Sequence, residues 1–314
     1  MACNLLLIAQ SDHVHLADFQ ALASEICDVA PDVHAYAIWD QSYDWETIDS
    51  ALDRPSFSFC PVPVRAFKPW RGPLLQCRRL YKSEEYAALQ QADVPLPCWG
   101  LLTPDSKPDL DGFGPYVVVK PDWSGRGADV KIMRRGRVRW HPPTTDYTRR
   151  LQGDAGNWIV QEFIYTGPQP VSYRVTTLFG EPLWGWKVTA DRTRRPLRHR
   201  YDFRQGETGG GMSIVSSGKG CVFSLIDEPD LADLARRAHR AFPDIPVLGV
   251  DMVRDIESDR LYVIEVNAGG YTWHVASKVG RRIQQDFAFD IEARFNIRQR
   301  VARILAEQAR RHAR

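Results

Sequence analysis

The chain has 314 residues, 44% apolar and 25% charged, a balance that excludes wholesale disorder and is enough for two or three packed units. Its formal net charge of +2 is too small to demand a nucleic-acid partner for the chain as a whole. No apolar run approaches the roughly 20 residues of a membrane helix, and Leu5 to Ala9 lacks the basic lead of a secretory signal, so a cytoplasmic location without membrane contact is expected.

The first stretch, "NLLLIA", reads as a strand, "HLADFQALASEI" as a helix, "VHAYAIW" as an alternating strand and "SFSFCPVPV" as a third strand stopped by prolines. Together they predict a small α/β unit over residues 1–75. Its first turn, "AQSDHVH", has no glycine fingerprint for a dinucleotide. A helix from about Ser83 to Gln91 follows, then the loop "TPDSKPDLDGFGP", so 76–115 reads as helix and linker. The cysteines at 3, 27, 60, 77, 98 and 221 have no zinc-type spacing and read as small buried or incidental residues.

A new unit opens at "YVVVKPDWSGRGADVKI", where four apolar residues precede Lys120 and a loop with glycines at 125 and 127. One reading is a buried strand followed by a hairpin turn. The other is a phosphate site, with Lys120 as a point charge and loop N–H groups facing the same anion. It lacks the residue order of a Walker A loop. The apolar "NWIVQEFIY" follows as a strand, after the short-strand and loop stretch "RRGRVRWHPPTTDY".

Further on, "VLGVDMVRDIESDRLYVIEVNAGG" predicts two antiparallel strands, about 247–254 and 261–266. Asp251 interrupts the first. Glu265 and Asn267, two residues apart, share one face of the second if it continues to 267. Two carboxylates and an amide oxygen are hard donors suited to Mg²⁺ when phosphates fill its other positions, and salt-bridged strand ends are the alternative.

Taken in order, "YVVVKPDWSGRGADVKI", "WIVQEFI", "SYRVTTLFGEPLWGWK", "DFRQGETGGG" and "GVDMV…YVIEVNAGG" resemble the ATP-grasp superfamily over about residues 76–275. The arginine strand after "QEF" is closest in flavour to the ribosomal-protein glutamate ligase and related peptide-forming ligases. The resemblance implies an α+β fold that holds ATP between two subdomains, a lid at 116–165 and a Mg-bearing part at 166–280, behind a small Rossmann-like α/β domain. It implies that Lys82 and Lys120 contact the nucleotide, that Ser124, Gly125 and Gly127 belong to the lid loop, and that Gln161, Glu162, Phe163 and Ile164 form the hinge strand beside adenine. Asp251, Glu265 and Asn267 then correspond to the Mg²⁺ triad, with Mn²⁺ as an alternative ion. Arg174, Lys187 and Arg204 correspond to cations on the transferring phosphate and substrate, and Gln169 or Ser172 stands where a ribose contact is expected.

The implied activity is ATP-dependent amide or peptide bond formation through an acylphosphate, using a carboxylic acid, amino acid or peptide and an amine. A small-molecule kinase and a non-catalytic Mg-ATP-binding protein are the alternatives. Trp123, Trp184, Trp186, Tyr271 and Trp273 read either as an acceptor pocket or as core. The histidines His13, His15, His34 and His274 form no persuasive site, and substrate contact by His274, close to the metal strand, is the minor alternative.

Residues 281–314 carry nine arginines against four acids and read as a basic amphipathic helical tail. Its apolar face can dock on the chain or form a homodimer. Contact of its arginines with nucleic acid or an acidic peptide is the alternative.

Overall fold

The structure, a computed structural model, describes residues 2–10, 16–41, 54–125, 127–153, 155–190, 199–200, 221–269, 281, 284–286, 288 and 290–314. Strands β1 (Cys3–Ala9), β2 (Val33–Trp39), β3 (Ser56–Cys60) and β4 (Leu74–Gln76) form a wholly parallel sheet in the order β2-β1-β3-β4. β1 is buried along its whole length, as a central parallel strand must be. Leu5 and Leu7 face α1 (Leu16–Val29), which turns Phe19, Leu22, Ala23 and Ile26 inward at helical spacing. Leu6 and Ile8 face the other way, under Val62 and Phe67 of the loop after β3.

That loop is held by Asp40 at the end of β2. Its buried carboxylate accepts from the backbone N–H groups of Arg65, Ala66 and Phe67 at 2.7, 3.0 and 2.8 Å. Burial alone would raise its pKa; those three donors and Gln10 hold it below the usual carboxylate value.

The second sheet is antiparallel, in the order β5-β8-β6-β7: β5 (Trp99–Leu102), β8 (Trp158–Glu162), β6 (Tyr116–Pro121) and β7 (Lys131–Arg134). β5 lies within the stretch read as linker and pairs with β8. The short helix α3 (Asp146–Gln152) precedes β8. The third sheet, also antiparallel, runs β11-β10-β9-β12-β13: β11 (Cys221–Ile226), β10 (Glu181–Ala190), β9 (Val171–Leu178), β12 (Val247–Arg254) and β13 (Leu261–Ala268).

Helix α4 (Pro229–Arg240) packs on one face of this sheet through Leu231, Leu234, Ala235 and Ala238. Helix α2 (Lys82–Gln91) bridges the second and third sheets. Helices α5 (Ile291–Phe295) and α6 (Ile297–His312) follow. α6 buries Ile297, Val301, Ala302, Leu305, Ala306 and Ala309 against α1, the parallel sheet and β10. The apolar face of the basic tail is therefore used within the chain. Arg310 of α6 pairs with Asp32, and Arg300 donates to the carbonyls of Pro182 and Leu183. Among the described residues, no helix is long and apolar enough to cross a membrane.

Candidate active site

The register of the third sheet arranges one of its faces as two rows. Trp186, Arg174, Asp251 and Glu265 are successive cross-strand partners on β10, β9, β12 and β13. Two positions along lies a second row of Trp184, Thr176, Gly249 and Asn267. Because side chains alternate along a strand, both rows share a face, opposite to the one that meets α4. Arg174 grips Asp251 with two parallel hydrogen bonds, from Nε to Oδ1 and from Nη2 to Oδ2. Its guanidinium carbon lies 5.7 Å from the Trp186 ring centre. Asn267 Nδ2 donates to Asp251 Oδ2 at 3.0 Å.

Helix α2 brings the lysines to this face. Lys82, at its first turn, sits 3.3 Å from Glu265 Oε1 and donates to the Ser124 carbonyl at 3.1 Å. Four residues on, Tyr86 shares its helix face. Lys120 Nζ, at the end of β6, donates to Tyr86 Oη at 3.0 Å and to the Ile264 carbonyl of β13 at 2.8 Å. The Tyr86 hydroxyl in turn lies 2.5 Å from Gln161 Oε1 and 2.7 Å from the Ile264 carbonyl, and its single proton serves one of them. One buried phenol thus joins α2, β6, β8 and β13.

Asp122, two residues past Lys120, fixes the start of α2. Its carboxylate accepts from Ser83 N at 2.8 Å and Ser83 Oγ at 3.0 Å, and its carbonyl accepts from Lys82 N at 3.0 Å. This is an N-terminal helix cap supplied by a different segment. The glycine loop is the turn between β6 and β7. Gly127 takes φ +69°, a value that favours glycine. The turn is anchored downstream by Asp129, whose carboxylate bonds Thr144 and Thr145 at the start of α3; despite burial, these bonds bring its pKa down to about 2.

Three cations, Lys82, Lys120 and Arg174, therefore meet three acids, Glu85, Asp251 and Glu265. Burial lowers the pKa of Lys120 to about 8, and the Lys82 charge adds to the fall. Burial raises Glu85 to about 8 against the pull of Lys82. For Glu265, burial is outweighed by Lys82, Lys120 and Arg174, which hold its carboxyl below the usual range. Burial works against the Arg174 charge too, and Asp251 more than offsets it.

The donor chemistry of Asp251, Glu265 and Asn267 fits a hard divalent cation. All three offer oxygen, and the two carboxylates are register partners that need a cation between or beside them. In this structure Arg174 and Lys82 supply that charge. Among the described residues no group of three His, Cys, Asp or Glu side chains is placed to hold a metal ion, and the third oxygen donor beside Asp251 and Glu265 is the Asn267 amide.

Other expected residues stand apart. Lys187 is the register partner of Tyr173, one position from the Trp186–Arg174 pair, so it points to the α4 side of the sheet, 5.9 Å from the Tyr173 ring centre. The structure does not bring it to the cluster of Lys82, Lys120 and Arg174, whereas a place on a transferring phosphate was expected of it. Gln161 is buried with its carbonyl oxygen against Tyr86, whereas a polar contact to adenine was expected of it. Glu162 Oε2 accepts weakly from Cys98 N at 3.4 Å, Phe163 packs near Ile132 and Tyr165, and Ile164 is buried. Arg204, His13, His15, Tyr271, Trp273 and His274 lie outside the described residues. Tyr86, Glu85 and Asp122 were not singled out from sequence, although Glu85 and Tyr86 stand three and four residues after Lys82 on one helix face.

Neither protein-family models nor curated proteins give a match to this sequence. Solved structures do. The ATP-grasp ligase PsnB, complexed with a phosphomimetic variant of its minimal precursor, Mg and ADP, superposes with a TM-score of 0.52 at 13% identity, over 98% of this chain and 99% of that one. The fold is ATP-grasp-like. The D-cycloserine synthetase DcsG superposes with a TM-score of 0.50 at 15% identity, over 96% of this chain and 99% of that one. The D-alanine–D-alanine ligase from Bacillus anthracis, complexed with ATP, superposes more loosely, at 0.45 and 14% identity over 98% of this chain and 99% of that one. What is shared at these identities is the α+β architecture, and these structures do not single out the ribosomal-protein glutamate ligases.

Proposed function

We propose that the protein is an ATP-dependent carboxylate–amine ligase that forms an amide or peptide bond through an acylphosphate. One observation carries this reading: within an ATP-grasp-like fold, Lys82, Lys120 and Arg174 converge on Asp251, Glu265 and Asn267 across two sheets. Lys82 and Lys120 hold the nucleotide phosphates, and the loop 124–127, next to Lys82, covers them. Asp251, Glu265 and Asn267 would hold Mg²⁺, which when bound neutralises phosphate charge and orients the terminal phosphoryl group. The presence of Mg and ADP in the PsnB complex supports that assignment.

Arg174 sits beside the acids with its guanidinium stacked near Trp186, placed to steady the substrate carboxylate as its oxygen attacks the γ-phosphorus and ADP departs. The amine then attacks the acyl carbon. Phosphate leaves and accepts the proton released by the amine, so the chain need supply no covalent nucleophile. Exclusion of water by the loop protects the anhydride from hydrolysis. The arginine on β9 after "QEF" keeps the peptide-forming ligases as the nearest type.

The test is an ADP-release screen of purified protein with Mg-ATP and pooled carboxylic acids, amino acids and peptides, followed by mass measurement of the product. ADP that requires both an acid and an amine, with an amide product, is expected. A stable phosphorylated product would establish a kinase instead, and Mg-ATP binding without turnover by any pool would leave a binding protein. Lys120→Ala should abolish nucleotide binding, and unchanged affinity and turnover in that variant would overturn the site.

A further inference from the structure

We infer that Thr176, Gly249 and Trp184 form a polar notch beside Arg174 that takes the carboxylate of the substrate, an inference that rests on the carboxylate-activating reading above. The row Trp184–Thr176–Gly249–Asn267 has its two smallest residues in the middle, between an indole and an amide. The middle of that row therefore carries the least side-chain bulk. Its edge toward the reacting end is Arg174: a Cβ at Gly249 would come 3.5 Å from Arg174 Cδ, 3.7 Å from its Nε and 3.8 Å from Asn267 Cβ. A methyl group fits there by ordinary contact, and a larger side chain would fill the space next to the guanidinium.

The second observation concerns hydrogen bonding. Thr176 is 0% exposed and Trp184 2% exposed, yet among the described residues neither Thr176 Oγ1 nor Trp184 Nε1 finds a hydrogen-bond partner. Buried polar atoms of this kind are uncommon because desolvating them unpaired is costly. Here two of them are cross-strand neighbours on the face that carries Asp251 and Arg174. The Trp184 ring is fixed by Trp186, with ring centres 4.7 Å apart.

The chemistry of the donors selects the ligand. An indole N–H and a guanidinium can only donate, and a threonine hydroxyl donates as readily as it accepts. The complementary group is an acceptor: a carboxylate or its acyl carbonyl, not an ammonium. The notch therefore belongs to the acid that is activated, and the amine must enter from elsewhere.

The probe is sodium propionate, with propylammonium chloride and sodium chloride at equal concentration as comparisons. In protein labelled with ¹⁵N at its tryptophan indoles, Trp184→Phe assigns the Trp184 N–H signal. That signal should shift saturably with propionate and not with either comparison salt. Thr176→Val, which keeps the side-chain shape, should weaken the apparent propionate affinity about fivefold or more. Gly249→Ala should weaken it as well, and serves if Thr176→Val does not fold. A Trp184 signal unmoved by propionate, moved equally by propylammonium, or titrating unchanged in both variants would overturn the inference. Mg-ADP binding, measured by calorimetry on the same samples, separates the two readings. If Mg-ADP binds and Trp184 ignores propionate, the notch fails alone; if propionate shifts Trp184 and Mg-ADP does not bind, the ATP reading fails and the carboxylate site stands.

Discussion

Replacing Tyr86 by Phe removes one oxygen and leaves the ring in place between α2 and the second sheet. That oxygen lies 3.0 Å from Lys120 Nζ, 2.5 Å from Gln161 Oε1 and 2.7 Å from the Ile264 carbonyl. Without it, the buried ammonium of Lys120 retains the Ile264 carbonyl as its hydrogen-bond acceptor, and whichever of Gln161 Oε1 and the Ile264 carbonyl took the phenol's proton loses that donor. A hydrogen bond to a charged group contributes about 1.5–3 kcal/mol, so the folded state should lose about that much. If Lys120 holds the nucleotide phosphates, part of the loss appears in binding, and about 1.4 kcal/mol of it is tenfold in Kd. Calorimetric titration with Mg-ADP and denaturant unfolding measure the two effects separately. We expect both to move, with the ATP KM raised and kcat nearly unchanged in any assay that shows turnover. A stability loss of the stated size with unchanged Mg-ADP affinity would refute the reasoning, because Tyr86 would then be packing alone and Lys120 would not depend on it.

Three further outcomes are expected. His239, on α4, is buried with its Nδ1 2.7 Å from Thr177 Oγ1, and burial brings its pKa from 6.5 to about 4. The unfolded chain takes up this proton first as pH falls, so the contribution is complete above pH 6.5. It is lost between 6.5 and about 4, to the extent of about 3 kcal/mol; denaturant titrations across that window should show the slope, and His239→Gln should flatten it. Asp122→Ala removes the cap on Ser83 and should cost about 1–2 kcal/mol in stability, with weaker Mg-ADP binding measured alongside because Lys82 starts that helix. Arg174→Ala should lower turnover by roughly 100-fold or more, whereas Lys187→Ala, on the α4 side of the sheet, should change it less than about twofold; equal losses would mean that the register does not decide which cation acts.

The strands that carry the cluster were readable because each is an apolar run broken by one charged or polar residue. Lys120, Asp251 and Glu265 stand out against "VVVK", "VLGVDMV" and "YVIEV" for that reason. Which face Lys187 takes was not readable. A shift of one residue in pairing turns a strand over, and β10 contains an irregularity between Pro182 and Trp184 that sets the parity for everything after it. Helix α4 went unread although Leu231, Leu234, Ala235 and Ala238 recur at helical spacing, because half of that stripe is alanine among charged residues. β5 was hidden by its length of four residues between prolines and a polar loop. The Thr176–Trp184 pair could not be seen at all from sequence, since it exists only when β9 and β10 are in register.

The docking of α6 across α1 and the parallel sheet has a consequence for how the chain is made. The pair between Arg310 and Asp32 joins residues 278 apart, and the face of β1 that carries Leu5 and Leu7 shares a core with Val301 and Leu305. During synthesis this unit must therefore wait, one face incompletely covered, until α6 has been translated. A nascent chain stalled before α6 should bind an apolar-surface dye that the chain including α6 excludes, and chaperone demand should fall on the parallel sheet rather than on the two antiparallel sheets.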